Sequence, residues 1–253
     1  MLKKLLPGPL KNKIKKTLFG ILEPKLDQLV NRQIDKRLMT DRALQERLKF
    51  KLELLELERG ELLGAEISPS RDALLETAVR SAERSPKGLW MEFGVMGGRS
   101  LRVIAPLTKN TVYGFDSFVG LPEDWVKGRS KIINKGKMSQ HDQLPDCPPN
   151  VEFVKGWFED SLPKFVREHP EPAAFVHIDS DLYSSAKTIF EHIKFQVGTV
   201  IIFDEYFNYP YWKEHEYKAF HEYLAVHPFS AKCLAYFPGD KQAVFILEPK
   251  NGK

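Results

Sequence analysis

Five short β-rich runs alternate with helix-like segments between residues 89 and 204, and this alternation constrains the fold more than any other feature. The runs are LWMEFGV (89–95), TVYGFD (111–116), VEFVKG (151–156), AAFVHID (173–179) and GTVIIFD (198–204), with helical patterns near 98–107, 161–169 and 182–195. Strands that are apolar on both faces and separated by helices predict a parallel sheet covered on both sides. Near the end, KCLAYF and QAVFIL flank PGDK, which predicts a hairpin that adds an antiparallel pair. At 253 residues the chain suits one large α/β domain and is short for two.

Residues 1–64 read differently. The first 20 hold six lysines and no acid, so a net charge of +4 over the whole chain leaves −2 on the remainder. The basic character belongs to the tail, and a nucleic-acid partner is disfavoured. With Leu2, Leu5, Leu6, Leu10, Ile14, Leu18 and Phe19, the tail suits weak contact with an anionic membrane surface; a solvated tail is the equal alternative. Residues 35–64 form a charged helical extension with Leu44, Leu48, Leu52 and Leu55 on one seam and Gly60 and Gly64 as stop signals. The seam is read as packing on its own domain ahead of homo-oligomer formation, because the heptad register is short. The division expected is therefore a tail and helical extension over 1–64 and a catalytic-type α/β domain over 65–253.

No apolar run approaches the roughly 20 residues of a spanning helix, and the N-terminus lacks a secretory pattern. Cys147 and Cys233 form neither a disulfide framework nor a zinc spacing, so the expected location is the cytoplasm, with the tail allowing peripheral contact at the inner membrane face.

Ligands in open α/β sheets bind at the carboxyl ends of the strands. The first run ends Glu92-Phe93-Gly94-Val95-Met96-Gly97-Gly98-Arg99-Ser100, where glycines admit close backbone approach. It is not GxGxxG, which disfavours a nicotinamide oxidoreductase. Asp116 ends the second run, where a carboxylate can accept from ribose hydroxyls or merely cap a turn. Trp157-Phe158-Glu159-Asp160 follows the third: an aromatic and an acid could meet an adenine, or Asp160 could cap a helix. The next two runs end in Asp179-Ser180-Asp181 and Asp204-Glu205. Neighbouring parallel strands lie about 4.8 Å apart, so these acids converge, and crowded carboxylates call for a cation. All-oxygen ligands suit Mg²⁺, Mn²⁺ or Ca²⁺; helix capping is the plainer alternative.

The ordered set EFGVMGGRS, YGFDSFVGLP, VKGWFEDSLP, HIDSDLYSS and VIIFDEY resembles class I S-adenosylmethionine (SAM) methyltransferases, and more narrowly the macrocin/mycinamicin sugar O-methyltransferase family, over roughly residues 66–247. The resemblance implies a Rossmann-like three-layer sandwich with a seven-stranded, mostly parallel sheet and an antiparallel last strand. It places Glu92, Gly94 and Ser100 around the methionine part of SAM, Asp116 with Ser117 at the ribose, and Phe158 and Asp160 at the adenine. Asp179, Asp204 and Glu205 fall on the magnesium ligands, and Asp181 near the catalytic base. Two departures stand out: a Trp-Arg-Gly-Gly stretch reads Met96-Gly97-Gly98-Arg99 here, and the usual Asp-Asp metal pair reads Asp204-Glu205.

The expected activity is SAM-dependent, Mg²⁺-assisted O-methylation of a sugar-bearing or polyhydroxylated small molecule or glycan. Asp181 or His215 would take the acceptor's proton, and aromatics from Tyr206 to Trp212 could wall the acceptor or simply pack. Lys127, Arg129, Lys131, Lys135 and Lys137 lie in the long segment 119–150, whose length suggests a lid or binding loop. The alternatives are a catechol-type or N-methyltransferase, and a non-catalytic SAM-fold interaction module; the latter would not need acids at four strand ends.

Overall fold

The computed structural model describes residues 40–128 and 131–250. The basic tail and Arg129 lie outside the described residues. Among those described, no helix is long and apolar enough to cross a membrane.

The first helix, α1, runs Arg42–Arg59 and ends through turns at Gly64, whose φ of 80° is the left-handed geometry glycine permits. From Glu53 onward the chain belongs to one compact unit with everything that follows. Of the expected leucine seam, the side chain of Leu44 lies outside those described and Leu48 is half-buried. Leu52 and Leu55 are exposed, while Leu57 and Leu62 are buried and Leu54 partly so. The same segment also meets aromatic groups of the domain through its acids. Trp212 Nε1 donates to Glu53, Tyr236 to Glu58, and Tyr206 to Glu61.

The sheet has eight strands: β1 (Glu66–Ile67), β2 (Leu89–Phe93), β3 (Val112–Asp116), β6 (Val151–Lys155), β7 (Ala173–Ile178), β8 (Val200–Phe203), β9 (Phe229–Tyr236) and β10 (Ala243–Pro249). Their order is β1-β9-β10-β8-β7-β2-β3-β6. All pairings are parallel except those of β10, which inserts antiparallel between β8 and β9. The hairpin and single reversed strand are as expected; the extra strand is the two-residue edge β1. A separate two-stranded ladder, β4 (Trp125–Val126) with β5 (Ile132–Ile133), lies within the long segment 119–150.

Among the described residues, five more helices cover the sheet: α2 (Arg71–Ala82), α3 (Arg99–Ile104), α4 (Phe158–Glu168), α5 (Tyr183–His192) and α6 (Glu216–Val226). Helices α2 and α6 have no counterpart in the sequence reading. Ser70 caps α2 by accepting from the Ala73 N–H, and Leu74, Leu75, Ala78, Val79 and Ala82 form its buried stripe. That stripe packs with Trp90, Phe175, Val200, Ile202 and Val244 on one face of the sheet. Met91, Phe93, Phe115, Val176, Ile201 and Phe203 alternate with these and pack against α4, α5 and α6 on the other. This two-sided burial is why the strands lack a polar face.

Strand order reverses between β2 and β7, the two strands that begin the opposite halves of the sheet. The register pairs Phe93 with Ile178 and Ile178 with Phe203, so Gly94, Asp179 and Asp204 leave the sheet side by side. The fold thus concentrates its strand-end chemistry at one crevice.

Candidate active site

A cleft with about 670 Å³ of open space lies over these strand ends, lined among others by Gly94, Asp116, Ser117, Phe158, Asp179 and Asp181. Gly120, Leu121, Pro122 and Met138 bring the long segment in as one wall. Gly94 is indispensable to the floor: its φ is 95°, and a Cβ there would sit 1.9 Å from the Asp179 carbonyl oxygen. The Asp179 N–H donates to Phe93 O at 2.8 Å, which locks the two strand ends together.

Asp116 ties two loops. One carboxylate oxygen accepts from Met96 N and the other from Phe118 N, each at 2.7 Å. Both donors have left-handed backbones, φ 48° and 59°, an unfavourable geometry for such side chains that the carboxylate helps hold. Each oxygen retains a lone pair for a further donor from the cleft. Ser117 lines the cleft and donates to Gly120 O.

Three of the anticipated cofactor residues take other places. Glu92 and Ser100 are buried beneath the cleft rather than in its wall: Ser100 Oγ donates to Glu92 Oε1 and His177 Nδ1 to Glu92 Oε2, at 2.8 and 2.9 Å. They brace the strand end from below. Asp160 faces a neighbouring groove with Lys164 and His169, because it sits on the first turn of α4; Trp157, Phe158 and Glu159 face the cleft instead.

At the other end of the cleft the acids do converge. Asp179, Asp204 and His177 each offer a ligand atom within 4.8 Å of the others. Glu205 does not join them. Its Oε1 accepts from Lys127 at 3.0 Å and Lys241 at 2.9 Å. Arg71, at the start of α2, touches Asp179 at 3.5 Å and Asp204 more closely, while Gln242 Nε2 donates to Asp204 at 3.2 Å. Burial, then Asp204, Asp181 and Glu216, push the Asp179 carboxyl well above its usual range, with Arg71 opposing.

Asp181 is 7% exposed, lines the cleft and has a left-handed φ of 64°. Buried Glu216 holds this turn: its Oε1 accepts from Ser180 N and Asp181 N at 3.0 and 2.9 Å. Burial and Glu205 push the Asp181 carboxyl up to about 8, against the pull of Lys127. Such a group is a fitting proton acceptor near neutral pH.

His215, the other anticipated base, does not line the cleft. Its Nε2–H donates to Val126 O at 3.1 Å, and it is buried, with burial lowering its pKa. It pins the long segment to the start of α6. The aromatic run also resolves towards packing, since Tyr206, Phe207, Tyr209 and Trp212 are all buried and only Tyr211 is exposed. Lys127 lies 3.8 Å from the Trp125 ring centre and 4.9 Å from that of Tyr209, so it fastens the long segment rather than greeting solvent.

Arg71, His177, Glu216 and Lys241 were not found by reading the sequence. Ser70 followed by Asp72 in a first turn signals a helix start beside Arg71. Nothing local marks the other three.

A family model described as a methyltransferase domain matches residues 91–206. Among solved structures, the calicheamicin methyltransferase CalS11 is 22% identical with a TM-score of 0.54, covering 85% of this chain and 90% of that one. The O-methyltransferase NovP is 23% identical with a TM-score of 0.50, covering 70% and 79%. No curated protein matches the chain. These two neighbours share its fold, and the methyltransferase domain covers the strand ends that line the cleft. Residues 91–206 thus carry a methyltransferase domain, on a sheet whose order and fold match those of solved methyltransferases.

Proposed function

We propose that the protein is an O-methyltransferase acting on a hydroxyl of a sugar-bearing or polyhydroxylated metabolite or glycan. The observation that carries this reading is Asp181, a buried carboxyl in the cleft wall two residues from Asp179. CalS11 is described as a TDP-rhamnose 3′-O-methyltransferase and NovP as an O-methyltransferase, which agrees with a hydroxyl acceptor.

When bound, SAM supplies a methyl group already activated on a sulfonium, so the chain's residues have two tasks. The first is alignment. Asp116 and Ser117 would hold the ribose, Phe158 would stack on the adenine, and Gly94 would admit the methionine end against the backbone. Alignment of this kind can be worth about 7–11 kcal/mol. The second task is proton removal. Asp181 would accept the acceptor's hydroxyl proton, a contribution typically worth about 10²–10⁴-fold. Glu216 keeps Asp181 in place through its backbone N–H.

Asp179 and Asp204 are hard oxygen donors close enough to share a small divalent cation, and His177 Nε2 is a buried ring nitrogen with no partner. The two carboxylates fit the expected Mg²⁺, which prefers oxygen; Glu205 is held by the lysines, and His177 is the third group beside the pair. A cation held there would make a nearby hydroxyl more acidic. The test of the function is incubation with methyl-labelled SAM and fractionated cell extract, followed by mass spectrometry of the labelled product. Label on a hydroxyl oxygen is expected; label on nitrogen or carbon, or on no small molecule or glycan, rejects the reading.

A further inference from the structure

Arg71 lies outside the methyltransferase match, yet it reaches the centre of the acid cluster. One atom, its Nη2, makes both contacts: 3.5 Å to Asp179 Oδ2 and a closer approach to Asp204 Oδ1. Divalent cations bind carboxylate oxygens at about 2.0–2.6 Å. An ion bridging the same two carboxylates would crowd Nη2 and meet its positive charge. Guanidinium and ion therefore exclude one another.

Arg71 is also loosely held for a half-buried cation. Its Nε has no hydrogen-bond partner, and it stands at the N-terminus of α2, the end of a helix that favours anions. The helix gains nothing from a cation there, so the acids account for its position. With its side chain 28% exposed, it has a way out. Asp240, whose carboxyl is already stabilised in part by the Arg71 charge, offers somewhere to go.

We propose that the Arg71 guanidinium is the resident counter-cation of the Asp179–Asp204 pair, and that a divalent cation loads only by displacing it. The inference rests on the reading of Asp179 and Asp204 as metal ligands. It makes Arg71 a gate on loading rather than a catalytic residue. It also gives the acids a partner whenever metal is scarce, so that the strand ends stay together.

Two measurements test this on the full-length protein. Calorimetric titration with Mn²⁺ should show at least tenfold tighter binding to Arg71→Gln than to the wild type, while Arg71→Lys, which keeps the charge, stays within threefold of wild type. SAM affinity, measured alongside, should be unchanged in folded variants. Should Arg71→Gln fail to fold, the wild type alone suffices: Mg²⁺ should raise the rate at which phenylglyoxal modifies Arg71, followed by peptide mass mapping. Equal or weaker Mn²⁺ binding by Arg71→Gln, or an Arg71 modification rate that Mg²⁺ leaves unchanged or lowers, overturns the gate while leaving the metal site standing. No Mn²⁺ binding to either protein overturns gate and metal site together, and SAM binding would then separate this from failure of the methyltransferase reading.

Discussion

Replacing Asp116 should damage the cofactor site in two separable ways. In Asp116→Ala the cleft loses the acceptor proposed for two ribose hydroxyls. Hydrogen bonds to a charged group contribute about 1.5–3 kcal/mol each, so the lower figure for two bonds gives about 3 kcal/mol, roughly a hundredfold in SAM affinity. The protein also loses the two 2.7 Å bonds from Met96 and Phe118. Met96 is exposed and its N–H can turn to water, but the Phe118 side chain is fully buried. The stability loss should therefore come mainly from the Phe118 side, about 1.5–3 kcal/mol. Asp116→Asn sharpens the test. An amide has one acceptor oxygen, so its NH₂ must face either a backbone N–H or a ribose hydroxyl. It should weaken SAM binding at least tenfold while preserving the fold. Calorimetry with SAM and thermal melts of both variants provide the readouts. SAM affinity within threefold of wild type in a folded Asp116→Ala protein would refute the placement of the ribose.

Asp179→Asn and Asp204→Asn should each reduce methyl transfer at least a hundredfold with SAM binding nearly intact, and full activity after exhaustive chelation, unstimulated by added Mg²⁺, would reject the metal. His215→Gln should retain kcat within about tenfold and leave its pH profile in place, because the side chain anchors Val126; a loss above a thousandfold would make it the base after all. Leu74→Ala, at a fully buried position of α2, should lower stability by about 2–5 kcal/mol in denaturant titrations, and a change below 1 kcal/mol would contradict its packing against the sheet. Deleting residues 1–20 should abolish salt-sensitive co-sedimentation with anionic vesicles; if full-length protein also stays in the supernatant at low salt, the tail is no membrane contact.

The sequence by itself determined the sheet and where its chemistry gathers. Strands buried on both faces must be apolar throughout, so β2, β3, β6, β7 and β8 each announced themselves within a residue or two of their ends. Acids and glycines at the ends of such strands meet by geometry, because parallel neighbours finish at the same edge. Asp116, Asp179, Asp181 and Gly94 could be found on that ground alone. Which way each side chain turns was decided elsewhere. Glu92 faces inward because His177 on the neighbouring strand and Ser100 eight residues on both donate to it, and Glu205 turns away because lysines 78 residues upstream and 36 downstream converge on it. His215 looked like a free base, and the fold buries it outside the cleft lining with its Nε2–H donated to Val126 of the long segment. Arg71 looked like an ordinary helix-start residue until the sheet brought Asp179, 108 positions away, within reach. Local pattern records which face of an element is buried. The partner a polar group finds depends on residues brought together only when the sheet closes.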